Sequence, residues 1–375
     1  MDDILPRIRR YPQFAYQQGR SQYDALRKVF AHCATVRAEL SKHHKNLHQQ
    51  HADAKPIPLF GSLMITVDLS QAFDKMPREL LYRGMVGLQL PADLIAIIMA
   101  WHAHIQYTIH HSGASCTFDA KKGIRQGCSA SPLLWLIFSH AISCRLEGLI
   151  FYDGLCAMLS VFADDYHVAG TFSSLHELEQ LLSCITALFK VLKEFGMEVS
   201  DAKSQAVLAL RGSLGPSIRR KYVCKGPDGP ILRIPLLSGS LRIPIVPQFR
   251  YLGTQINYHS FENATLEFRL QKGTAVYRRL GTILKGRHHL SEGQRVRLWC
   301  ACIWTTLSYG LITCGVTSAG HRLLETHVVR QLRAILRLPV HLTYKTNAEV
   351  MQQDIASNPP WTNTCVHRQA PGGAL

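Results

Sequence analysis

Residues 159–166 read Leu-Ser-Val-Phe-Ala-Asp-Asp-Tyr and place two acids directly after a short apolar run. The apolar residues predict a strand that returns after Asp164 and Asp165 as a second strand, with the acids at the hairpin turn. A third acid, Asp68, ends the apolar run Leu63–Val67. Carboxylates at strand ends can converge on one edge of a sheet and hold a pair of Mg²⁺ ions. Taken alone, the Asp-Asp dipeptide is more readily explained as an ordinary turn pair.

Apolar periodicity along the rest of the chain alternates between helical and strand patterns. Helical spacing covers Ser21–Gln50, Pro77–Leu90, Pro91–His104, Leu133–Ile150 and Leu175–Phe195. Strand patterns cover Leu63–Leu69, Gln106–His110, Thr117–Ala120 and Glu198–Leu208. Strands separated by long helices predict an α+β fold, in which helices cover one face of a sheet.

The amino-acid composition of the chain changes after Leu210. Gly, Pro and Ser are frequent from Gly212 to Pro247, which predicts a loop or hairpin region. The pattern from Glu262 to Leu338 is helical and basic. We therefore expect a domain boundary near Ser260. Residues 358–375 are rich in Pro, Gly and Thr, which is typical of a disordered tail.

The net charge of +16 is unevenly distributed along the chain. Residues 1–202 contain 19 basic and 19 acidic side chains, whereas residues 203–341 contain 21 basic and 5 acidic ones. The whole positive excess therefore lies in one C-terminal segment. A concentrated positive face suits a polyanion, because each phosphate that it neutralises releases condensed counterions. A basic surface that merely keeps the chain soluble is the alternative.

Other features argue against secretion, membrane insertion and a zinc site. The 11 cysteines form no CxxC pair, which indicates reduced thiols inside a cell. Four histidines fit a solvated helix end better than a metal site, since no acid or Cys completes one: His43, His44, His48 and His51. No apolar stretch is long enough to span a bilayer, and Met1–Arg10 lacks an apolar signal region. We therefore expect a nuclear or cytoplasmic protein.

Segments between Gln13 and Leu338 resemble, in order, the motifs of reverse transcriptases of the non-LTR (LINE-like) retrotransposon type. Four look like the palm motifs: residues 67–75 (VDLSQAFDK), 123–134 (GIRQGCSASPLL), 162–165 (FADD) and 196–204 (GMEVSDAKS). Residues 249–253 (FRYLG) resemble the primer-grip hairpin. Gln13-Phe14 with Gly19-Arg20-Ser21 resembles the segment before the palm, and residues 308–310 and 331–336 resemble the thumb.

The resemblance implies a right-hand polymerase palm, an antiparallel sheet backed by helices, followed by a helical basic thumb. The expected domains are a partial fingers or pre-palm segment at 1–60, the palm with the primer grip at 61–260, a thumb-like region at 261–345 and a disordered tail at 346–375. The implied activity is RNA-directed DNA polymerisation. Its implied cofactors are two Mg²⁺ ions, with Mn²⁺ as a substitute, and its partners are an RNA template, a DNA primer and dNTPs.

The resemblance also implies a catalytic set. Asp68 and Asp164 would bridge the metal ions, with Asp165 as an outer partner that supports them. Lys203 would protonate the departing pyrophosphate as a general acid. Without the resemblance, Lys203 is equally well explained as a surface lysine.

Nucleotide and primer contacts follow from the same motifs. Four residues would contact the nucleotide: Leu69 through its carbonyl, Phe73 as a ring that excludes a 2′-hydroxyl, Gln126 and Gly127. The primer grip would be formed by Tyr251, Leu252 and Gly253. Without the resemblance, Phe73 fits a core aromatic better.

Three positions depart from the family pattern without removing a carboxylate: Phe162 stands for Tyr, Ser200 for Asn and Ala130 for Leu. The larger departure is that the fingers segment, which carries an arginine for the triphosphate, is not matched. Arg7, Arg9 and Arg10 are not convincing substitutes. We therefore expect an N-terminally truncated reverse transcriptase domain, with a catalytically inactive remnant that binds nucleic acid as the alternative. A mobile-intron maturase is disfavoured, because we find no maturase-like domain after the thumb.

Overall fold

The computed structural model of the protein describes residues 4–42, 57–199, 203–236, 239–286 and 290–355. Ser200 and the four clustered histidines lie outside these residues. The chain divides into two compact units, Met1–Phe249 and Arg250–Leu375. This division precedes the predicted boundary at Ser260, so the expected primer-grip residues 251–253 belong to the second unit.

A four-stranded antiparallel sheet forms the centre of the first unit. Its strands are β1 Phe60–Val67, β4 Leu159–Phe162, β5 Asp165–Phe172 and β6 Gln205–Arg211. They lie in the order β4-β5-β1-β6. In β1, residues 61–67 are all buried, as expected of a central strand that is covered on both faces. Gly61 lies opposite Phe172, and a Cβ at this glycine would overlap the phenylalanine ring.

Helices cover both faces of this sheet. The three longest helices in the described part of the first unit are Gln22–Lys42, Ser131–Glu147 and Leu175–Glu194. Leu63 and Ile65 join a core cluster with the second and third of these helices. Met64, which points to the opposite face, contacts Cys33 of the first helix. The α+β class is confirmed, but the prediction of helices on one face only is wrong, because the alternate β1 residues Ser62, Met64 and Thr66 are also buried and need their own cover.

Shorter elements complete the first unit. Among the described residues, the remaining helices are Ile4–Arg9, Ala72–Lys75, Arg78–Gly87, Ala92–Ala103, Tyr152–Met158 and Gly215–Tyr222. The remaining strands are β2 Gln106–His111, β3 Ala114–Asp119, β7 Val223–Gly226, β8 Gly229–Leu236 and β9 Gly239–Pro244. Strands β7–β9 form a sheet where the sequence predicts only a loop or hairpin. The buried residues Leu232, Ile234 and Ile243 fix its inner face, and frequent Gly and Pro obscure this alternation in the sequence.

The second unit consists of a hairpin followed by helices. The hairpin pairs β10 Phe249–Tyr251 with β11 Thr254–Ile256. The helices are Phe261–Arg279, Gly281–Lys285, Glu292–Trp299, Thr305–Ser308, Leu311–Cys314, Ser318–Leu336, Val340–Thr343 and Asn347–Ile355, with a π-helical turn at Cys300–Trp304.

Two expectations about the second unit meet different outcomes. The helical pattern from Glu262 to Leu338 is confirmed. A disordered tail from residue 346 is not what the structure shows for Asn347–Ile355, which is a helix that buries Val350. Among the described residues, no helix combines the length and hydrophobicity needed to cross a membrane.

Candidate active site

The three acids singled out in the sequence lie at one edge of the central sheet. Asp68 directly follows β1, and Val67 at the end of that strand pairs with Tyr166 of β5. Phe162 pairs with Asp165, so Ala163 and Asp164 form a two-residue turn between β4 and β5. Antiparallel pairing of β1 with β5 therefore brings the end of β1 beside this turn, as the sequence predicts.

Asp68 and Asp164 are close enough to repel one another. Burial raises the pKa of Asp164 above its usual value, a backbone hydrogen bond partly offsets that rise, and the negative charge of Asp68 adds to it. Both side chains keep part of their surface exposed. The pair is thus a concentration of negative charge that a cation would relieve.

The oxygen donors at this edge fit a divalent cation of the Mg²⁺ type. Within the described part of the chain, no three His, Cys, Asp or Glu side chains come together as a metal site, so Asp165 does not complete a cluster with the other two acids. Mg²⁺ is commonly held by one or two carboxylates together with substrate phosphates and water. Asp68 and Asp164 satisfy that requirement.

Lys203 lies at the carboxylate pair. Its Nζ is 3.4 Å from Oδ2 of Asp68, and its side chain is otherwise mostly exposed. The preceding segment is held against the chain that follows Asp68, because Leu69 bridges to Val199 and the Ser70 amide donates to the Glu198 carbonyl at 2.8 Å. The Leu69 side chain is buried, so its predicted nucleotide contact is restricted to its backbone.

The two predicted nucleotide-binding motifs are joined to one another by backbone hydrogen bonds. The Gly123 amide donates to the Met76 carbonyl at 2.8 Å, and the Ile124 amide donates to the Phe73 carbonyl at 2.9 Å. Gly123 has a φ of 85°, and a Cβ there would lie 2.5 Å from the Asp74 carbonyl oxygen. Only glycine combines that backbone conformation with so close an approach.

The predicted nucleotide-contact residues differ in how free their side chains are. Phe73 stacks on Trp135, with ring centroids 4.6 Å apart, and is partly buried. The Gln126 amide donates to both carboxylate oxygens of Asp74 at 3.2 Å. Gly127 is exposed, with a φ of 83° and open space where a Cβ would stand. The loop therefore presents Gly127 to solvent, whereas Gln126 is engaged with an acid.

The hairpin turn that carries Asp164 is held by Gln13, a residue whose contact with the turn sequence reasoning missed. The Gln13 amide exchanges hydrogen bonds with both backbone polar groups of Ala163, at 2.9 and 3.0 Å. The motif resemblance singles out Gln13, but nothing in the sequence places it beside a turn that lies so far along the chain. Tyr16 was also missed: burial raises its pKa, and the charge of Asp164 adds to that shift.

Basic residues near the N-terminus bind the chain's own acceptors. Arg7 donates to the Leu88 and Gly87 carbonyls at 3.3 and 3.0 Å, and Arg9 donates to the Gln18 carbonyl at 2.8 Å. Arg10 forms an ion pair with Glu147. All three arginines therefore have acceptors within the protein itself.

The turn of the predicted primer grip lies in the second unit. Leu252 and Gly253 both have positive φ, 42° and 75°, which is strained for a leucine. The buried Arg269 donates to the Gly253 carbonyl and lies over the Tyr309 ring, 4.2 Å from its centroid. Tyr251 is only 2% exposed, so its side chain is buried in the protein, whereas the side chain of Arg250 beside it is exposed.

Comparison with known proteins gives one family and several distant structures. The family model described as reverse transcriptase (RNA-dependent DNA polymerase) matches residues 3–256. Apo telomerase from Candida Tropicalis is 12% identical over 92% of this chain and 58% of its own, with a TM-score of 0.39. Telomerase from Candida albicans in complex with a TWJ fragment of telomeric RNA is 12% identical over 94% of this chain and 53% of its own, with a TM-score of 0.40.

A Candida Tropicalis telomerase truncated from its C-terminal domain is 16% identical over 62% of this chain, which spans 39% of that one, with a TM-score of 0.37. This chain thus spans between 39% and 58% of the length of these solved structures. Likenesses this distant do not identify the class of enzyme.

Proposed function

Because this chain belongs to the reverse transcriptase (RNA-dependent DNA polymerase) family, we propose that it forms the palm and thumb of an RNA-directed DNA polymerase of the non-LTR retrotransposon type. A primer 3′-hydroxyl attacks the α-phosphate of a dNTP, the new P–O bond forms as the α–β bond breaks, and pyrophosphate leaves. The observation that carries this proposal is the carboxylate pair Asp68 and Asp164 at the sheet edge, inside the matched segment.

Asp68 and Asp164 would hold the metal ions in this mechanism. When bound, a pair of Mg²⁺ or Mn²⁺ ions would neutralise charge and lower the pKa of the attacking hydroxyl. Asp68 and Asp164 orient that charge, and their mutual repulsion disfavours the metal-free state. We assign Asp165 a supporting role, since it forms no cluster with the other two acids among the described residues.

Nearby side chains handle the leaving group and the sugar. Lys203 is an exposed cation beside Asp68, which suits an ammonium that delivers a proton to departing pyrophosphate. The Phe73 ring is fixed by Trp135 and can set a steric limit on the 2′ position of the sugar. Gly127 leaves open space through which a nucleotide can approach the backbone.

A primer-extension assay tests the proposal. Purified protein with primed RNA template, dNTPs and Mg²⁺ is expected to extend the primer, and Asp164→Ala is expected to abolish extension. Asp119→Asn is the matched control, because Asp119 is an exposed acid at the end of β3 that bonds to Gln106. Absence of extension by the unmodified protein across salt concentrations, with either Mg²⁺ or Mn²⁺, would refute the proposal.

A second function is favoured by the engagement of Arg7, Arg9 and Arg10 with protein acceptors. On this reading the chain binds RNA without incorporating nucleotides. Binding would weaken steeply between low and moderate salt, because it depends on the basic segment after residue 203. Strong, salt-dependent RNA binding that Asp68→Ala leaves unchanged, together with no extension, would favour this function over the first.

A further inference from the structure

The residue before Asp164 is held in a conformation that alanine avoids. Ala163 has a φ of 55°, in the left-handed region. For a residue with a Cβ this costs about 1–2 kcal/mol. Such strain persists where the surroundings over-determine the conformation, and it clusters at functional sites. Ala163 is buried, so the forces that hold it come from neighbouring protein groups.

Gln13 supplies those forces through both ends of its amide. Its Oε1 accepts from the Ala163 amide at 2.9 Å, and its Nε2 donates to the Ala163 carbonyl at 3.0 Å. The same Nε2 also donates to Ser139 Oγ at 3.1 Å, and the same Oε1 accepts from the Ala15 amide at 3.1 Å. The Gln13 side chain is therefore fixed in the orientation that grips the peptide unit next to Asp164.

The backbone around Gln13 is itself fixed to the hairpin. Residues 12–14 add a short parallel segment to β4, in which the Phe14 amide donates to the Val161 carbonyl at 2.8 Å and the Val161 amide donates to the Pro12 carbonyl at 3.0 Å. Arg20 donates to the Gln13 carbonyl at 2.8 Å and to the Tyr11 carbonyl at 2.7 Å. This explains the two parts of the N-terminal motif: Gln13 holds the turn, and Arg20 holds Gln13.

We propose that Gln13 is a positioning residue that sets the place of the Asp164 carboxylate for divalent cation binding. The inference rests on the proposed function for its catalytic consequence, but not for its effect on the metal. Gln13 does not touch the metal or the substrate. Its amide acts through the strained Ala163 peptide, so that loss of the amide lets the turn relax and moves Asp164 away from Asp68.

Two substitutions at position 13 separate positioning from simple stability. Gln13→Met keeps the size of the side chain and removes all four hydrogen bonds. Gln13→Glu keeps the acceptor for the Ala163 amide, but it can donate to the Ala163 carbonyl only when its carboxyl is protonated. Burial raises the pKa of such a carboxyl, so the Glu variant should approach the unmodified protein as the pH is lowered. Ser160→Ala is the control, because Ser160 is a buried polar residue of β4 whose hydroxyl donates to the Ala25 carbonyl.

The test measures the dissociation constant of Mn²⁺ alone by electron paramagnetic resonance, alongside Tm. Loss of groups that orient metal ligands typically weakens metal affinity 10- to 100-fold. We expect Gln13→Met to raise the Mn²⁺ dissociation constant at least about tenfold and Ser160→Ala to leave it unchanged at a similar Tm. We also expect the ratio of the Gln13→Glu value to the unmodified value to fall towards one between pH 8 and pH 6.

Every outcome bears on the proposal. An unchanged Mn²⁺ dissociation constant in Gln13→Met, with a Tm loss like that of Ser160→Ala, would overturn it. If Gln13→Met does not fold, a pH-independent ratio for Gln13→Glu would overturn it instead. If the unmodified protein binds Mn²⁺ in a way that depends on Asp164 but does not extend primers, the proposed function fails and the role of Gln13 is still decided. Mn²⁺ binding that does not depend on Asp164 would also overturn the inference.

Discussion

Replacing Gly123 with alanine should disrupt the joint between the two nucleotide-binding motifs. Gly123→Ala places a Cβ 2.5 Å from the carbonyl oxygen of Asp74 and 2.8 Å from both its carbonyl carbon and its Cα. These are backbone atoms, so they cannot swing aside as a flexible side chain would. The segment that follows Asp68 must move, or the loop carrying Gln126 and Gly127 must leave it.

Gly113 provides a matched control for the cost of backbone strain. Its φ is 83° against 85° at Gly123, and an added Cβ would meet nothing within 4 Å. Gly113→Ala should therefore cost only the left-handed penalty, about 1 kcal/mol. Gly123→Ala pays the same penalty and adds overpacking of about 1–3 kcal/mol. In a unit of this size, 1 kcal/mol lowers Tm by about 2–4 °C.

Thermal unfolding and primer extension together test this prediction for Gly123→Ala. We expect Gly113→Ala to lower Tm by roughly 2–4 °C with near-normal extension, and Gly123→Ala to lower Tm by roughly 4–16 °C. Extension by Gly123→Ala should fall about 100-fold, the usual effect of misplacing a catalytic group by about 1 Å. Equal Tm losses in the two variants would refute the steric argument, because only the strain that they share would then be at work.

Three further predictions follow from buried or repelling charges. Asp164→Asn should raise Tm in the absence of divalent cations while abolishing primer extension, since burial and the charge of Asp68 both disfavour the ionised Asp164 carboxylate. A lower Tm than that of the unmodified protein would contradict this. Burial lowers the pKa of His32 to about 4 and that of His167 to about 3. The folded state should therefore lose stability as the pH falls below 6.5, by about 2 kcal/mol per histidine at pH 5. Urea midpoints that are equal at pH 7 and pH 5 would rule this out. Arg269→Met should destabilise the second unit by about 2 kcal/mol. Arg269→Lys should restore little of that stability, because an ammonium cannot both stack on Tyr309 and donate through a planar fork. A Tm of Arg269→Lys equal to that of the unmodified protein would exclude this geometry.

The sequence predicts the central elements well because their signals are local. Leu159–Phe162 is bounded as predicted, since an apolar run followed by two acids leaves one strand-and-turn solution. The helices Ala92–Ala103 and Leu175–Glu194 agree with prediction within a residue or two, because their helical periodicity is sustained. The strand expected at Glu198–Leu208 begins later, at Gln205, since Val199 makes only an isolated bridge to Leu69.

The carboxylate pair could be predicted, but the support for it could not. Strand ends place Asp68 and Asp164 at one edge by topology alone. By contrast, the engagement of Gln126 with Asp74 depends on how the loop of Gln126 docks on the short helix Ala72–Lys75, and that docking depends on the glycine at position 123. No periodicity or composition predicts such a contact, because each partner is an ordinary polar residue in its own stretch of sequence.

Both hairpin turns assigned to the chemistry carry a residue with a Cβ in the left-handed region, Ala163 in one unit and Leu252 in the other. Glycine would adopt these conformations without strain, but it would also leave the turn free to adopt others. A strained turn held by a buried side chain gives one defined position instead: Gln13 bonds to Ala163 itself, and Arg269 donates to the carbonyl of Gly253, which follows Leu252. The cost of the strain, about 1–2 kcal/mol for each turn, is offset by hydrogen bonds that exist only in that position. This makes the placement of Asp164 depend on a residue near the start of the chain, so a change at Gln13 should affect metal binding without altering any carboxylate.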